Sequence, residues 1–239
     1  MKFLLVVVFI IGAFEKIVGG ITASKGQFPY QISLRYNGEH NCGGSILNQN
    51  TVLTAAHCVD QFPSEYSSIV AGSNKLDEGG ELRNIARYII HEKWNPSKAT
   101  DDIALIKLAE PLEFTTYIQP ITAEDTFTPA NVKCVLSGWG ITSYPGDIPN
   151  ELQYMNGVVA NLNVCKLIFS QGSYPVLDSN ICANAGNGIG ACKGDSGGPL
   201  VSNNKQIGIA SWVVLCARGY PDVFTRVSYY SDWINSHLN

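Results

Sequence analysis

The sequence predicts an all-β fold, a barrel or a sandwich, on three observations. Short segments alternate apolar and polar residues, glycine-rich turn clusters separate them, and helical periodicity is scarce. In Gln31-Ile32-Ser33-Leu34-Arg35-Tyr36 the apolar residues fall at every second position, which puts them on one face of a strand. Runs of the same kind lie at 45–54, 67–71, 82–90, 103–108, 132–137, 152–160, 199–202, 206–214 and 222–227. Asn37-Gly38, Glu78-Gly79-Gly80 and Tyr144-Pro145-Gly146-Asp147 are turn clusters between them. Two helical candidates remain. One is a short segment at 163–169. The other, at 228–238, brings Tyr230, Trp233, Ile234 and Leu238 to one face.

The chain has 239 residues, 45% of them hydrophobic and 15% charged, too apolar a composition for a disordered protein. It shows no internal repeat and no low-complexity linker, so two domains, if there are two, must pack closely. With a formal charge of −4 and no run of Lys or Arg, neither a nucleic acid nor an anionic membrane surface is an expected partner. Lys2 and the apolar run 3–11, followed by Gly12 and Ala13, have the pattern of a secretory signal. That run is too short to span a bilayer, which takes about 20 apolar residues. A buried N-terminal strand is the plainer alternative.

Seven cysteines are present, none in a Cys-x-x-Cys pair, and the four histidines are not grouped with them at metal-ligand spacing, so no metal site is expected. Together with a secretory signal they read as disulfides made in an oxidising compartment. An odd count leaves at least one thiol over.

Four short stretches carry chemistry. Gly194-Asp195-Ser196-Gly197-Gly198-Pro199 surrounds a serine with residues that let backbone N–H groups approach a substrate carbonyl. A serine hydroxyl also needs a base to take its proton. Thr54-Ala55-Ala56-His57-Cys58 holds a histidine among small residues, and Asp101-Asp102-Ile103-Ala104-Leu105 leads an acid into an apolar strand. The fourth, Ile17-Val18-Gly19-Gly20, directly follows Lys16. Taken singly, the first three also read as a glycine-rich turn, a core histidine and a strand-capping acid.

Together, in the chain order His, Asp, Ser, these stretches resemble the chymotrypsin-like (trypsin-fold) serine proteases. The resemblance runs from Ile17 to the C-terminus through Cys42-Gly43-Gly44-Ser45, Gly138-Trp139-Gly140, Ser211-Trp212 and the final helix. It implies two packed six-stranded antiparallel Greek-key barrels with a C-terminal helix. The peptidase unit would be 17–239, with barrels at about 27–120 and 121–239, behind a signal and short activation peptide at 1–16. It also implies a secreted, extracellular digestive serine endopeptidase, made as a zymogen and monomeric, without a cofactor. Its partners would be polypeptide substrates, protein protease inhibitors and a trypsin-like activating protease. By motif, Ser196 is the nucleophile, His57 the general base and acid, and Asp102 the residue that fixes the histidine tautomer. Gly194 and Ser196 supply the oxyanion-hole N–H groups, and Ser211 supports Asp102. Cleavage after Lys16 would free the amino group of Ile17 to pair with Asp195. An inactive binding homologue would be expected to lack the nucleophile or the base, and both are here.

The resemblance pairs Cys42 with Cys58, Cys165 with Cys182 and Cys192 with Cys216. Cys134 is then a free thiol, because Ser202 stands where many relatives carry its partner. In the substrate pocket, Gly190 takes the floor position at which trypsin-like members carry Asp, and Ala191 beside it is small. Val213 and Asp222 replace two glycines near the mouth, with Ser211 and Trp212 on the same wall and Lys193 at the rim. The pattern is closest to elastase-like or chymotrypsin-like invertebrate digestive members. Narrowing by Val213 favours small aliphatic P1 residues; chymotrypsin-like or broad preference is the alternative, and basic P1 through Asp222 the third. Ala99 should leave S2 open. Residues 72–81 match the family's calcium loop, but Ser73 and Lys75 stand in place of acidic or amide ligands.

Overall fold

The computed structural model describes residues 17–143, 145–214 and 216–238. The expected signal and activation peptide, with Lys16, lie outside the described residues. The chain enters through a two-residue strand, β1 (Ile21–Thr22), and then builds a closed barrel. Its strands are β2 (Gln31–Tyr36), β3 (Glu39–Asn48), β4 (Thr51–Thr54), β5 (Ser67–Ala71), β6 (Glu81–Ile90) and β7 (Ala104–Leu108). They follow the order β2-β3-β4-β7-β6-β5, and β2 closes the ring by pairing with β5 as well as β3.

A short strand, β8 (Thr122–Ala123), leads into the second barrel. That barrel comprises β9 (Lys133–Gly138), β10 (Gln153–Val159), β11 (Asn180–Asn184), β12 (Pro199–Ser202), β13 (Lys205–Trp212) and β14 (Asp222–Arg226). The order is β10-β11-β14-β13-β12-β9, and the β9–β10 pairing closes it. β1 adds to β10, and β8 runs parallel to β13. The all-β expectation of two six-stranded antiparallel barrels is met.

Each barrel has its own apolar core. Ile32, Leu34, Ile46, Leu53, Ile69, Leu105 and Ile106 fill the first, and Leu136, Met155, Ile181, Leu200, Ile207 and Phe224 the second. Strand alternation also explains the seam between them. Gln31 and Ser33 of β2 are as buried as Ile32 and Leu34, and Gln31 reaches across to the other barrel. There Gln31 Oε1 accepts from Ser137 Oγ at 2.7 Å, and Gln206 Oε1 accepts from Ser45 Oγ at 2.5 Å. Paired donors and acceptors remove the desolvation cost that unpartnered amides would carry.

The run at 45–54 is not one strand. It is the hairpin β3–β4, with Asn48 opposite Thr51, and the Asn50 N–H donates to Asn48 Oδ1 at 2.9 Å. An Asx-type turn sits inside what apolar alternation alone reads as continuous. β11 escapes the alternation reading as well, because its ends are polar and its middle is buried on both faces. The first helix, α1 (Leu162–Ile168), starts where the Asn161 side chain accepts from the N–H groups of Asn163 and Val164. The C-terminal segment is a 3-10 turn at Val227–Tyr230 followed by α2 (Ser231–Ser236). Its Val227, Tyr230 and Ile234 pack into the core of the first barrel, so the end of the chain straps the barrels together.

Candidate active site

His57 and Asp102 meet because of strand register. β4 and β7 are antiparallel neighbours with Thr54 opposite Ala104. Residues just after β4 and just before β7 therefore emerge at the same barrel end. His57 lies on the 3-10 turn Ala56–Cys58, and the Cys42–Cys58 disulfide ties that turn back to β3. Asp102, 1% exposed, accepts from the His57 backbone N–H at 3.0 Å and sits 2.8 Å from its Nδ1. The carboxylate holds Nδ1 protonated, which leaves Nε2 as the acceptor. Burial draws the imidazole pKa down, but the charge and hydrogen bond of Asp102, helped by the charge of Asp60, outweigh it and leave it raised above 6.5.

The second barrel completes the support. Ser211 Oγ donates to Asp102 Oδ2 at 2.6 Å, and Thr225 Oγ1 donates to the Asp102 carbonyl at 2.7 Å. The β13–β14 register slips between Ala210 and Trp212, so Ser211 is a bulge residue. Bulges re-aim a side chain out of the ladder.

Ser196 lies on the loop before β12. Its carbonyl accepts from the Gly43 N–H at 2.7 Å, which fastens the loop to β3 of the other barrel. Gly197 lies at φ 75°, and a Cβ there would stand 2.3 Å from Thr54 Oγ1, so only glycine permits this approach. Among the described residues, the N–H groups of Gly194 and Ser196 have no acceptor within the chain. Asp195, 1% exposed, accepts from the N–H groups of Gly140 at 2.8 Å and Cys192 at 3.0 Å, yet burial still lifts its carboxyl to about 6. Ile17 is fully buried among the second barrel's core residues, and Val18 bridges to Gly190.

Sequence reasoning missed three contributors. His40 Nε2 holds the Gly194 carbonyl at 3.0 Å, and its Nδ1 meets Ser33 Oγ at 2.9 Å. Burial lowers His40 to about 4, so near neutral pH it is uncharged, donating to Gly194 and accepting from Ser33. Thr225 is the third. None lies in a motif; only the closed barrels bring them to the site.

A cavity of about 300 Å³ opens beside Ser196. It is lined by Ala191, Cys192, Lys193, Ser211, Trp212, Val213 and Asp222, among others. Asp222, 6% exposed, accepts from the Ala191 N–H through Oδ2 at 2.7 Å and lies against Gly190. Lys193 is exposed at the rim. Ala99 is half-buried, with a left-handed φ of 49°. The pairs Cys165–Cys182 and Cys192–Cys216 are bonded, the latter tying the Ser196 loop to the cavity wall. Cys134 is buried without a disulfide partner, and burial pushes its thiol up to about 12.

The 72–81 loop does not fit calcium. Ser73 Oγ donates to the carbonyls of Lys75 and Glu78, and the Lys75 ammonium holds the Glu78 carboxylate at 2.6 Å. A lysine cation occupies the attention of the oxygens that an ion would need.

Two closed antiparallel barrels, with a histidine–aspartate pair from one and a glycine-flanked serine from the other, define a chymotrypsin-like serine protease. The trypsin family model matches residues 17–234, and the chain belongs to that family of serine endopeptidases. It is 38% identical to trypsin alpha of Drosophila melanogaster over 228 residues, covering 94% of this chain and 88% of that one. It is 40% identical to chymotrypsin-2 of Vespa crabro over 222 residues, 92% of this chain and 99% of the relative. Hypodermin-A of Hypoderma lineatum is 39% identical over 225 residues, 93% and 87% of the two chains.

Proposed function

We propose that this protein is a secreted digestive endopeptidase, made as a zymogen, that cleaves after small aliphatic P1 residues through an acyl-enzyme. The observation that supports it most is the hydrogen-bonded set His57–Asp102–Ser211, placed beside the cavity that Ser196 lines. Ser196 Oγ attacks the scissile carbonyl carbon while His57 Nε2 takes its proton. The N–H groups of Gly194 and Ser196 receive the oxyanion. The tetrahedral adduct expels the amine, which leaves with the proton from His57. Water then repeats the sequence and frees Ser196. Asp102 stabilises the imidazolium in both halves.

Activation follows from Asp195. Two backbone donors do not hold this buried carboxyl at its ordinary value, so it retains a demand for a cation. Cleavage after Lys16 would supply one in the new amino group of Ile17, and the pair would fix the loop that presents Gly194. Trypsin-like proteases are the activators this site suits, since P1 there is Lys.

At P1, the branched side chain of Val213 on the cavity wall favours Ala, Val or Leu over aromatic residues. The discrimination is graded, about 1–3 kcal/mol per methylene mismatch. Asp222 on the same cavity favours a second reading, basic P1, and a broad chymotrypsin-like profile stands between the two. Activated protein assayed on peptides that differ only at P1 (Ala, Val, Leu, Phe, Tyr, Lys, Arg) separates them. The small aliphatic residues should lead; a maximum at Phe, Tyr, Lys or Arg refutes that preference. Ser196→Ala should reduce turnover to a small residual rate, and unchanged hydrolysis would refute the nucleophile.

A further inference from the structure

The carboxyl of Asp222 is enclosed on the cavity side of the second barrel. Its Oδ2 receives one hydrogen bond, from the Ala191 N–H at 2.7 Å. Gly190 makes its place: a Cβ there would stand 3.3 Å from Oδ2 and 3.1 Å from the Ala217 N. Ala191, which donates that bond, and Val223, which lines the same cavity, bring no charge. The charge that acts on it is the like charge of Asp195, while Lys193 faces solvent at the rim. A carboxylate that is buried, singly hydrogen-bonded and next to another carboxylate is poorly stabilised, whereas the neutral acid is not.

We propose that Asp222 determines P1 selectivity through its own proton. Protonated, it is a neutral wall that accepts aliphatic side chains; ionised, it is the counter-charge for a P1 lysine or arginine. The inference rests on reading this cavity as the P1 pocket. Burial, with the charge of Asp195 adding and the Ala191 hydrogen bond opposing, lifts the carboxyl to about 7. Pairing of Asp195 with the Ile17 amino group would cancel the like charge, so in the activated enzyme the midpoint lies at or below that value.

Reciprocity sets the size of the effect. A P1 cation a few ångströms away lowers a carboxyl pKa by about 1–3 units, so the ionised form must prefer that cation by about 10- to 1000-fold over the neutral form. The preference is read as the ratio of kcat/KM for a P1 Lys peptide to that for its P1 Leu twin, from pH 5 to 9. His57 and the Ile17 amine affect both substrates alike and cancel, and the substrate lysine, with a pKa of about 10.4, stays charged.

The ratio should rise at least about tenfold with pH and level off above a midpoint at or below 7. In Asp222→Asn, whose amide oxygen can still accept from Ala191, the ratio should be low and flat. A flat ratio in the wild type overturns the proposal, as does a pH-dependent one in Asp222→Asn. If that variant does not fold, the wild-type curve decides alone. Val213→Gly distinguishes the two layers of the argument. If it broadens the P1 profile while the wild-type ratio is flat, only the proton-controlled selectivity fails. If it leaves the profile untouched, the cavity is not the P1 pocket, and both readings fail.

Discussion

Ser211 and Asp102 stand on different barrels and are joined by a 2.6 Å hydrogen bond, Oγ to Oδ2. The bulge at Ser211 aims the hydroxyl, and Thr225 Oγ1 holds the Asp102 carbonyl from the next strand. Asp102 is therefore oriented from both halves of the molecule. Ser211→Ala removes a donor from a buried carboxylate, an interaction worth about 1.5–3 kcal/mol. We expect kcat to fall about tenfold with KM nearly constant, because the lost contact touches the base and not the substrate. An unchanged kcat would show that the two contacts from His57 suffice.

His40 supports the loop proposed to receive the oxyanion as Ser211 supports Asp102. It is neutral and donates to the Gly194 carbonyl, while the Gly194 N–H has no acceptor among the described residues. His40→Ala should lower kcat about tenfold through a looser oxyanion site, again with little change in KM. Because its folded pKa is depressed to about 4, its share of stability is present above 6.5 and lost as pH falls through 4. The variant should lose less stability than the wild type over that interval. Equal losses in urea melts at pH 7 and 4 would remove His40 from this role.

How much of this was legible in the chain depends on the distance over which each contact is made. Ser196, His57 and Asp102 announce themselves in local motifs, and alternation placed most strands within a residue or two. The three disulfide pairs and the unpaired Cys134 also follow the positions that the resemblance implied. His40 and Thr225 carry no local signal, since each acts on a residue far along the chain, and Ser33 acts only through His40, seven residues on across the β2–β3 hairpin. The resemblance put Asp222 on the pocket wall but left open which way its carboxyl turns. That depends on the missing side chain at Gly190 and on the Ala191 N–H, the latter 31 residues earlier in the chain. The hairpin within 45–54 failed for the opposite reason: its polar turn is too short to interrupt an apolar pattern.

Asp222 also has a stability signature. Its folded pKa is raised, from 3.8 to about 7, so the contribution it makes is fully present below 3.8 and is lost as pH rises through 7. Asp222→Asn cannot ionise and escapes that loss. Relative to the wild type it should gain stability between pH 4 and 8, by at most about 4 kcal/mol. Chemical denaturation at both pH values measures the gain. A difference that does not change with pH contradicts the buried, under-solvated carboxyl.

Calcium should not matter to this protein. Lys75 and Glu78 form an exposed ion pair within the 72–81 loop, and Ser73 ties down the two carbonyls. Melting temperatures in millimolar calcium and in chelator should agree. Lys75→Asn with Ser73→Glu restores oxygen ligands and should create calcium-dependent stabilisation where none existed. A chelator-induced drop in the wild-type melting temperature would contradict the fit argued from Ser73 and Lys75.

Cys134 and Ser202 stand one step beyond the Val135–Val201 pair of β9 and β12, on adjacent strands. Ser202 Oγ uses the position to donate to the Lys133 carbonyl at 2.8 Å, and the Cys134 thiol, pushed up to about 12, stays protonated and inert. Ser202→Cys should form a fourth disulfide across this pair. The bond would close a loop of about 70 residues, worth about 4 kcal/mol in the chain-entropy model. Against that stands the loss of one neutral hydrogen bond, about 1 kcal/mol. Stabilisation should therefore prevail, visible as a higher melting temperature that reductant reverses, with no free thiol in the denatured variant. A thiol count of two after denaturation would mean that the strands hold these side chains apart, and that the wild-type serine is there for its own hydrogen bond.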